Sequence, residues 1–533
     1  MDPIINIYEK YVLPLTLQAD KALRKHKKVS ISLAVALTTV FIVTQRILKP
    51  PKALRQVPYV GAVGYLRARI SGTPLSEIVR KYTLPAALKT DHGLYTRFDQ
   101  NGWALHITTP DLAKRFLMKT DVFAKADLKS QLEGTMVGRF FYGRNILFTN
   151  GTEWKKHRKI ANPAFHRAMP VELFGQLTHK LFKAMDSPDV DYDAVNFHDL
   201  MTRWTLSAIG IAGFGFDFQA LEDKNNEWVR VYNSIDTASR DFKYAVFPFF
   251  DRNLLWLNRT RRAKHEDLTR FLNLIDGIIE NKRKAIQEQE FSTVKESERD
   301  LLTLMVESEK AGEGTLTDEE LKSNLCVFFL AGHDTTANAL TFAIYYLAVN
   351  PDIQEKAREE AIKAFGDNHG DILPTAEETK ELQYINCIIK ETLRIAPPAT
   401  GVISRGLTTD SEISGMVFPK GTRVMLDIYE LHHNPRIWSN PEKFDPDRFL
   451  PGGEAEQLAS NGSSMAWVPF SNGARQCIGA NFSLAEQRVL LPLLLRKFEW
   501  SLPEGSPHKD RPITGNMGVL SAVDLRISFK KRY

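Results

Sequence analysis

The strongest hydrophobic block in the chain is early. From Val29 to Leu48 the residues VSISLAVALTTVFIVTQRIL are apolar apart from Ser, Thr and a terminal Gln45-Arg46. About 17 helical residues at ~1.5 Å each give ~25 Å, slightly short of a ~30 Å hydrocarbon core. Snorkelling of Arg46 and the flanking lysines closes that gap in a thin membrane, so the pattern predicts a single transmembrane anchor over residues 29–48. A cleaved signal peptide would start earlier and precede a small-residue cleavage site. A buried core helix would lack the basic brackets. Lys21, Arg24, Lys25, Lys27 and Lys28 before the block, and Arg46, Lys49, Lys52 and Arg55 after it, give no orientation by charge. Ile4, Ile5, Ile7, Tyr8, Tyr11, Val12 and Leu15 make residues 1–28 a candidate interfacial helix.

Lys49-Pro50-Pro51-Lys52 and Val57-Pro58-Tyr59-Val60-Gly61 then read as a stiff elbow, 49–61, between anchor and body. Two β-like runs around Asp99-Gln100-Asn101-Gly102 read as a hairpin. From Pro110 helical periodicity dominates nearly to residue 400, and short β-like runs return at 405–419, 422–428 and 524–529. The charged run from Asn281 to Asp300 reads as a solvated loop or helix end. Thr317-Asp318-Glu319-Glu320 has capping-box spacing and opens a helix that runs to Asn350, ahead of Pro351. The expected fold is mainly α with small β-sheets, with residues 62–533 as one domain although length alone suggests more.

Composition narrows the function class. The 533 residues carry a net charge of +6, too diffuse to argue for a nucleic-acid partner. Three cysteines, Cys326, Cys387 and Cys477, are too few for a disulfide framework and fit a reducing compartment. There is no Gly-x-Ser-x-Gly elbow and no phosphate-binding loop.

Candidate chemistry sits in four places. Phe470-Ser471-Asn472-Gly473-Ala474-Arg475-Gln476-Cys477-Ile478-Gly479 puts a cysteine on a glycine-punctuated turn with Arg475 nearby; its alternative is a plain turn with Cys477 as a small hydrophobe. Inside the apolar helix lies Ala331-Gly332-His333-Asp334-Thr335-Thr336, a polar notch able to order water and pass protons, or else a capped bend. Glu391 and Arg394 share a helix face, and Arg448 is a candidate third partner in an apolar setting. Trp154 and Arg158, four apart, can reach one anion.

Together these motifs, spread across residues 58–533, resemble the cytochrome P-450 superfamily of haem-thiolate monooxygenases. The resemblance implies that Cys477 ligates the iron of haem b and that Trp154, Arg158, Arg405 and Arg475 bind the haem propionates. It implies an ionic lock of Glu391, Arg394 and Arg448, and proton delivery by Asp334 and Thr335 to dioxygen activated with NADPH-derived electrons. The implied setting is the endoplasmic-reticulum membrane with a cytosolic body. The implied partners are membrane lipid and an NADPH–cytochrome reductase docking near Lys155, Lys156 and Lys159, with cytochrome b5 as a candidate second donor. By family position, substrate contacts fall on Phe140, Phe141, Phe328, Phe329, Thr336, Val402 and Val519, whose character points to a lipophilic molecule such as a steroid or sterol, fatty acid, terpenoid or foreign compound. The segments 332–337 and 431–435 look most like the long-chain fatty-acid hydroxylases, although Ala331 stands where that branch often has a glutamate. Two other readings are a same-fold enzyme that rearranges substrate without a reductase, and a non-enzymatic haem-binding membrane protein.

Overall fold

The computed structural model describes residues 14, 27–99, 102–126, 132–141, 143–166, 169–239, 241, 243–244, 247–288, 299–310, 314–515 and 518–533. The candidate interfacial helix apart from residues 14, 27 and 28, the Gln100-Asn101 turn and residues 289–298 of the charged run lie outside the described residues.

The hydrophobic block forms helix α1 (Lys27–Leu48), whose 22 residues span about 33 Å at ~1.5 Å per residue. It is longer than expected because the helix includes the preceding lysines. Val35, Leu37, Val40 and Phe41 are exposed on it. Among the described residues, no helix is long and apolar enough to cross a membrane. The elbow is fastened down rather than free-standing. The Trp103 indole N–H donates to the Arg46 carbonyl at 2.8 Å, Leu54 and Val57 are buried in the sheet layer, and Val60 donates to the Thr96 carbonyl at 2.9 Å.

The helices that position the site are α2 (Gly151–His166), α3 (Val171–Met185), α4 (Phe197–Ile209), α5 (Glu227–Ser239), α6 (Arg259–Gln287), α7 (Asp318–Val349), α8 (Pro351–Phe365), α9 (Gln383–Ile395) and α10 (Ala480–Lys497). Helix α7 is the axle. Its start is closed by the expected capping box, Thr317 Oγ1 accepting from Glu320 N at 3.1 Å and Glu320 Oε2 accepting from Thr317 N at 2.9 Å. Its apolar girth is buried by α4, α6, α9 and α10. At Gly332 a Cβ would lie 3.1 Å from Ile209 Cδ1, so the glycine accommodates α4.

One five-stranded sheet has the order β1 (Leu94–Asp99), β2 (Gly102–Ile107), β7 (Arg423–Leu426), β4 (Arg405–Leu407), β3 (Phe123–Lys125). The hairpin pairs Asp99 with Gly102, and β2 runs parallel to β7 with Leu105 opposite Val424. Two further hairpins are β5 (Ser411–Ile413) with β6 (Met416–Phe418), and β8 (Phe498–Ser501) with β9 (Ser528–Lys531). Strand β9 starts later than its pattern implied because Asp524 holds a positive φ of 50°, a turn conformation. The charged run is also less solvated than expected at its end. Asp300 is buried, paired to Lys282 at 2.7 Å, and accepts from Thr303 N at 2.9 Å.

Candidate active site

The cysteine loop is built on backbone bonds that leave Cys477 facing outward from its turn. Cys477 N donates to the Phe470 carbonyl at 2.9 Å and Gln476 N to the Gly473 carbonyl at 3.0 Å. Gly473 holds φ +71°, and a Cβ there would lie 3.2 Å from the Leu117 carbonyl oxygen, so glycine is required by both conformation and space. Asn472 Oδ1 accepts from Gly473 N at 2.6 Å and closes the turn. Of the three cysteines only Cys477 is exposed. Burial pushes the Cys326 thiol up to about 12, which suits a core filler. At Cys477 the surrounding protein also pushes the thiol up, while the Gly479 N–H and the Arg158 guanidinium act against that.

Around this loop stand four cations. Arg158, on α2, donates to the Gln476 carbonyl at 3.0 Å, which ties that helix to the residue beside Cys477. Arg475 donates to the Thr149 carbonyl at 2.8 Å, and its guanidinium lies 4.1 Å from the Trp154 ring centroid, so Trp154 orients Arg475 as a π-face. Arg405, at the start of β4, donates one N–H to the Phe116 carbonyl at 2.6 Å and leaves Nε and Nη2 buried without a partner. Arg475 Nη1 is likewise buried without a partner. Lys125, on β3, is the fourth, and the sequence reading missed it. Its register on β4 is the reason it is there, since Lys125 pairs with Arg405. Burial, then Arg475 and Arg405, bring the Lys125 ammonium down to about 7. Burial lowers Arg405 to about 10; burial, then Arg405 and Arg158, bring Arg475 to about 10. Among the described residues none of the four has a carboxylate at ion-pair distance. Unpaired, buried donors converging beside an exposed cysteine fit a flat ligand that carries carboxylates, and haem is such a group.

Across from the loop, the α7 notch divides its polar groups between two sides. Thr335 is half-buried beside exposed Ala331, and its hydroxyl donates to the Ala331 carbonyl at 2.7 Å. Asp334 is buried, and Asn338 Nδ2 donates to its Oδ1 at 3.1 Å and to its carbonyl at 2.7 Å. Thr336 does not take the substrate-facing place expected of it. It is buried against α10 and donates to Ser483 Oγ at 2.9 Å, because it lies round the helix from Thr335. Beside it is Glu486, fully buried, another residue missed from sequence. Burial pushes its carboxyl well above the usual range, with Thr336 opposing.

Three phenylalanines expected at the substrate are also turned into the core. Phe140 stacks on Phe271 at 5.9 Å, Phe328 meets Phe165 at 5.0 Å, and Phe329 packs among Phe214, Phe218, Tyr232, Phe271 and His333. Long apolar helices bury all faces, so ring type alone could not tell core from cavity. Phe141, Val402 and Val519 remain half-buried, and Leu520 N donates to the Pro398 carbonyl at 2.8 Å, which brings the last two segments together.

Behind the cysteine loop, Glu391 accepts from Arg394 Nε at 2.7 Å and Nη2 at 2.8 Å, and from Asp445 N at 2.9 Å. Arg448 Nε stands 3.5 Å from Glu391 Oε1 and also bonds Glu454, an acid the sequence reading did not include. Buried His432 completes the frame. Its Nδ1 donates to the Arg394 carbonyl at 3.1 Å and its Nε2 accepts from Val468 N at 3.0 Å, so the lock is wired to the segment entering the cysteine loop. Burial, then Arg394 and His433, hold this imidazole well below its usual pKa, which keeps it neutral as both bonds require.

Two outcomes follow. Glu391→Ala leaves Arg394 buried and uncompensated and lowers stability by about 3–5 kcal/mol, read as the urea midpoint of the purified protein. Glu486 binds its proton more tightly folded than unfolded, so it costs stability increasingly as pH rises above about 4.3, its unfolded value. Glu486→Gln removes that cost, and its unfolding midpoint gains on the parent as pH climbs from 4 towards 8; parallel pH profiles for the two proteins would contradict this.

The family model described as Cytochrome P450 matches residues 89–528. Cytochrome P450 4A10 of Mus musculus is 30% identical over 403 residues, covering 74% of this chain and 75% of its own. Cytochrome P450 4V2 of Rattus norvegicus is 30% identical over 405 residues, covering 73% and 74%. The chloroplastic Cytochrome P450 97B2 of Glycine max is 28% identical over 473 residues, covering 80% and 79%. Among solved structures, the haem domain of cytochrome P450DA aligns with a TM-score of 0.72 at 23% identity, over 90% of this chain and 98% of that one. With the family model spanning residues 89–528 and a relative 30% identical over 74% of the chain, the chain belongs to the cytochrome P450 family of haem monooxygenases.

Proposed function

We propose that this chain is a membrane-anchored monooxygenase that places one oxygen atom of O2 into a lipophilic substrate, with electrons from an NADPH-fed flavoprotein reductase. The observation that carries the reading is the set of four cations, Lys125, Arg158, Arg405 and Arg475, gathered beside Cys477 with no carboxylate at ion-pair distance among the described residues. Bound haem supplies the iron chemistry that activates dioxygen. In this reading the Cys477 thiolate holds the iron, Arg405 and Arg475 donate their spare N–H groups to the haem carboxylates, and Trp154 and Arg158 fix that rim. Asp334 carries a proton and Thr335 holds a hydroxyl on the reacting side. The reaction balances as RH + O2 + two electrons + two protons giving ROH + H2O. Half-buried Phe141, Val402 and Val519 are the candidate substrate contacts, and their apolar surface excludes water from the reacting group.

The anchor belongs to the same reading: exposed Val35, Leu37, Val40 and Phe41 on α1 need an apolar partner, and lipid of the endoplasmic reticulum is the proposed one. Labelling tests the whole reaction. Microsomes holding this protein and a reductase, fed a panel of fatty acids, steroids and terpenoids under 18O2, incorporate one labelled atom per product only when NADPH is present. Product that forms without NADPH, or without label, would instead mark a rearranging enzyme.

Lys155 and Lys159 are the exposed members of the docking face, and Lys156 is half-buried. Reversing both, Lys155→Glu with Lys159→Glu, slows reductase-supported turnover by about tenfold at low salt, with the effect fading as salt rises. Turnover equal to the parent at every ionic strength would remove these lysines from the interface.

A further inference from the structure

A groove of about 660 Å3 lies against the ionic lock, between α9, α10 and the segment that enters the cysteine loop. Its size suits a small-molecule ligand. One side is aromatic. Phe449 and Trp467 meet edge to face with ring centroids 5.8 Å apart, and both are half-buried. The Trp467 indole N–H donates to the Lys390 carbonyl at 3.1 Å, which fixes that ring against α9.

The charge of the groove is positive. Lys380 comes from the short helix Ala376–Lys380, Lys390 from α9 and Arg488 from α10. Lys380 is exposed, and Lys390 and Arg488 are half-buried. Among the described residues none of these three has a carboxylate at ion-pair distance. Lysines on the adjoining surface are paired, Lys356 with Asp447 at 3.1 Å and Lys443 with Asp445 at 3.1 Å. The one acid lining the groove, Glu456, is exposed and accepts from Gly452 N at 2.7 Å. Arg488 Nε donates to Asn386 Oδ1 at 2.6 Å, which leaves its two terminal nitrogens for a ligand. Burial draws this guanidinium below its ordinary pKa, a cost that a bound anion offsets.

We propose that this groove binds a flat aromatic ring carrying several negative charges, the chemistry of a nucleoside polyphosphate, and that the bound ligand stiffens the cysteine loop. The ring lies on Phe449 and Trp467, and the phosphates meet Lys380, Lys390 and Arg488. Aromatic side chains stack such rings whatever their identity, and the guanidinium fork matches phosphate oxygens while lysine adds point charge. The link to the loop is covalent proximity. Lys390 adjoins Glu391, Phe449 adjoins Arg448, and Trp467 adjoins Val468, whose N–H donates to His432 Nε2 at 3.0 Å. A ligand bridging the three groove residues therefore holds the lock and the segment entering the loop together.

Titration calorimetry of the full-length holoenzyme with magnesium-free ATP tests the proposal. One ATP binds per chain with a Kd below about 100 μM. Tripolyphosphate and adenosine, each offering half of the ligand, bind at least about tenfold more weakly than ATP. Lys380→Gln with Lys390→Gln weakens ATP by about tenfold. Neither lysine makes an ion pair among the described residues, so the melting midpoint and the reduced carbon-monoxide spectrum of this double variant stay at parent values. Arg488→Gln weakens ATP from the other helix and keeps the test sound if the double variant folds poorly. Amide hydrogen exchange locates the ligand. ATP slows exchange across residues 446–477 in the parent, not in the double variant, and leaves α2 with its exposed lysines unchanged. A Kd weaker than that bound, unchanged affinity in the variants, tripolyphosphate as tight as ATP, or slowing at α2 instead overturns the nucleotide site. Binding that leaves exchange across 468–477 unchanged overturns its hold on the cysteine loop.

Discussion

Like charges gathered in a poorly solvated corner repel, and here that repulsion is built in. Lys125, Arg158, Arg405 and Arg475 come from β3, α2, β4 and the cysteine loop, four segments with no reason in local sequence to meet. Burial and mutual repulsion already bring Lys125 to about 7 and Arg475 to about 10. Such a corner favours an anion, whose charge offsets that repulsion. Everything else in the fold can be read as holding that corner open beside Cys477: the β3–β4 register that sets Lys125 against Arg405, the Arg158 bond to the Gln476 carbonyl, and the π-face of Trp154 under Arg475.

The rear of the site solves a second electrostatic problem. Glu391 is fully buried, and an isolated carboxylate there would be prohibitively costly. Arg394, Arg448 and the Asp445 N–H share it, and Glu454 in turn balances Arg448. His432 then passes this rigidity forward to Val468, at the entrance of the cysteine loop. Buried pairs of this kind are weak sources of stability but good at fixing one arrangement, which is what a ligand cysteine needs.

Much of this was legible in the sequence. The capping box, the proline stop at Pro351, the Glu391–Arg394 spacing and the Asn-Gly hairpin each carry a local physical signal, and the helices and strands appear where those signals put them. What sequence could not give is which way a side chain points on a helix buried all round. Phe328, Phe329 and Thr336 carry the same apolar or small-polar character as cavity residues, yet they pack against Phe165, the Phe214 cluster and Ser483. Lys125 and Glu486 were missed for a related reason: one depends on a strand register across 280 positions, the other on burial of an acid within a run that reads as amphipathic. Short strands such as β3 and β8 have too few residues to show a period of two.

The central claim is that Cys477, as a thiolate, is the iron ligand of a haem held by the cationic corner. The reduced, carbon-monoxide-bound absorption spectrum of the purified protein tests it most directly. The parent gives the red-shifted Soret band of thiolate-ligated haem, and Cys477→Ser loses that band while Cys387→Ser keeps it. A parent protein without the band, or a Cys477→Ser variant that retains it, would contradict the account.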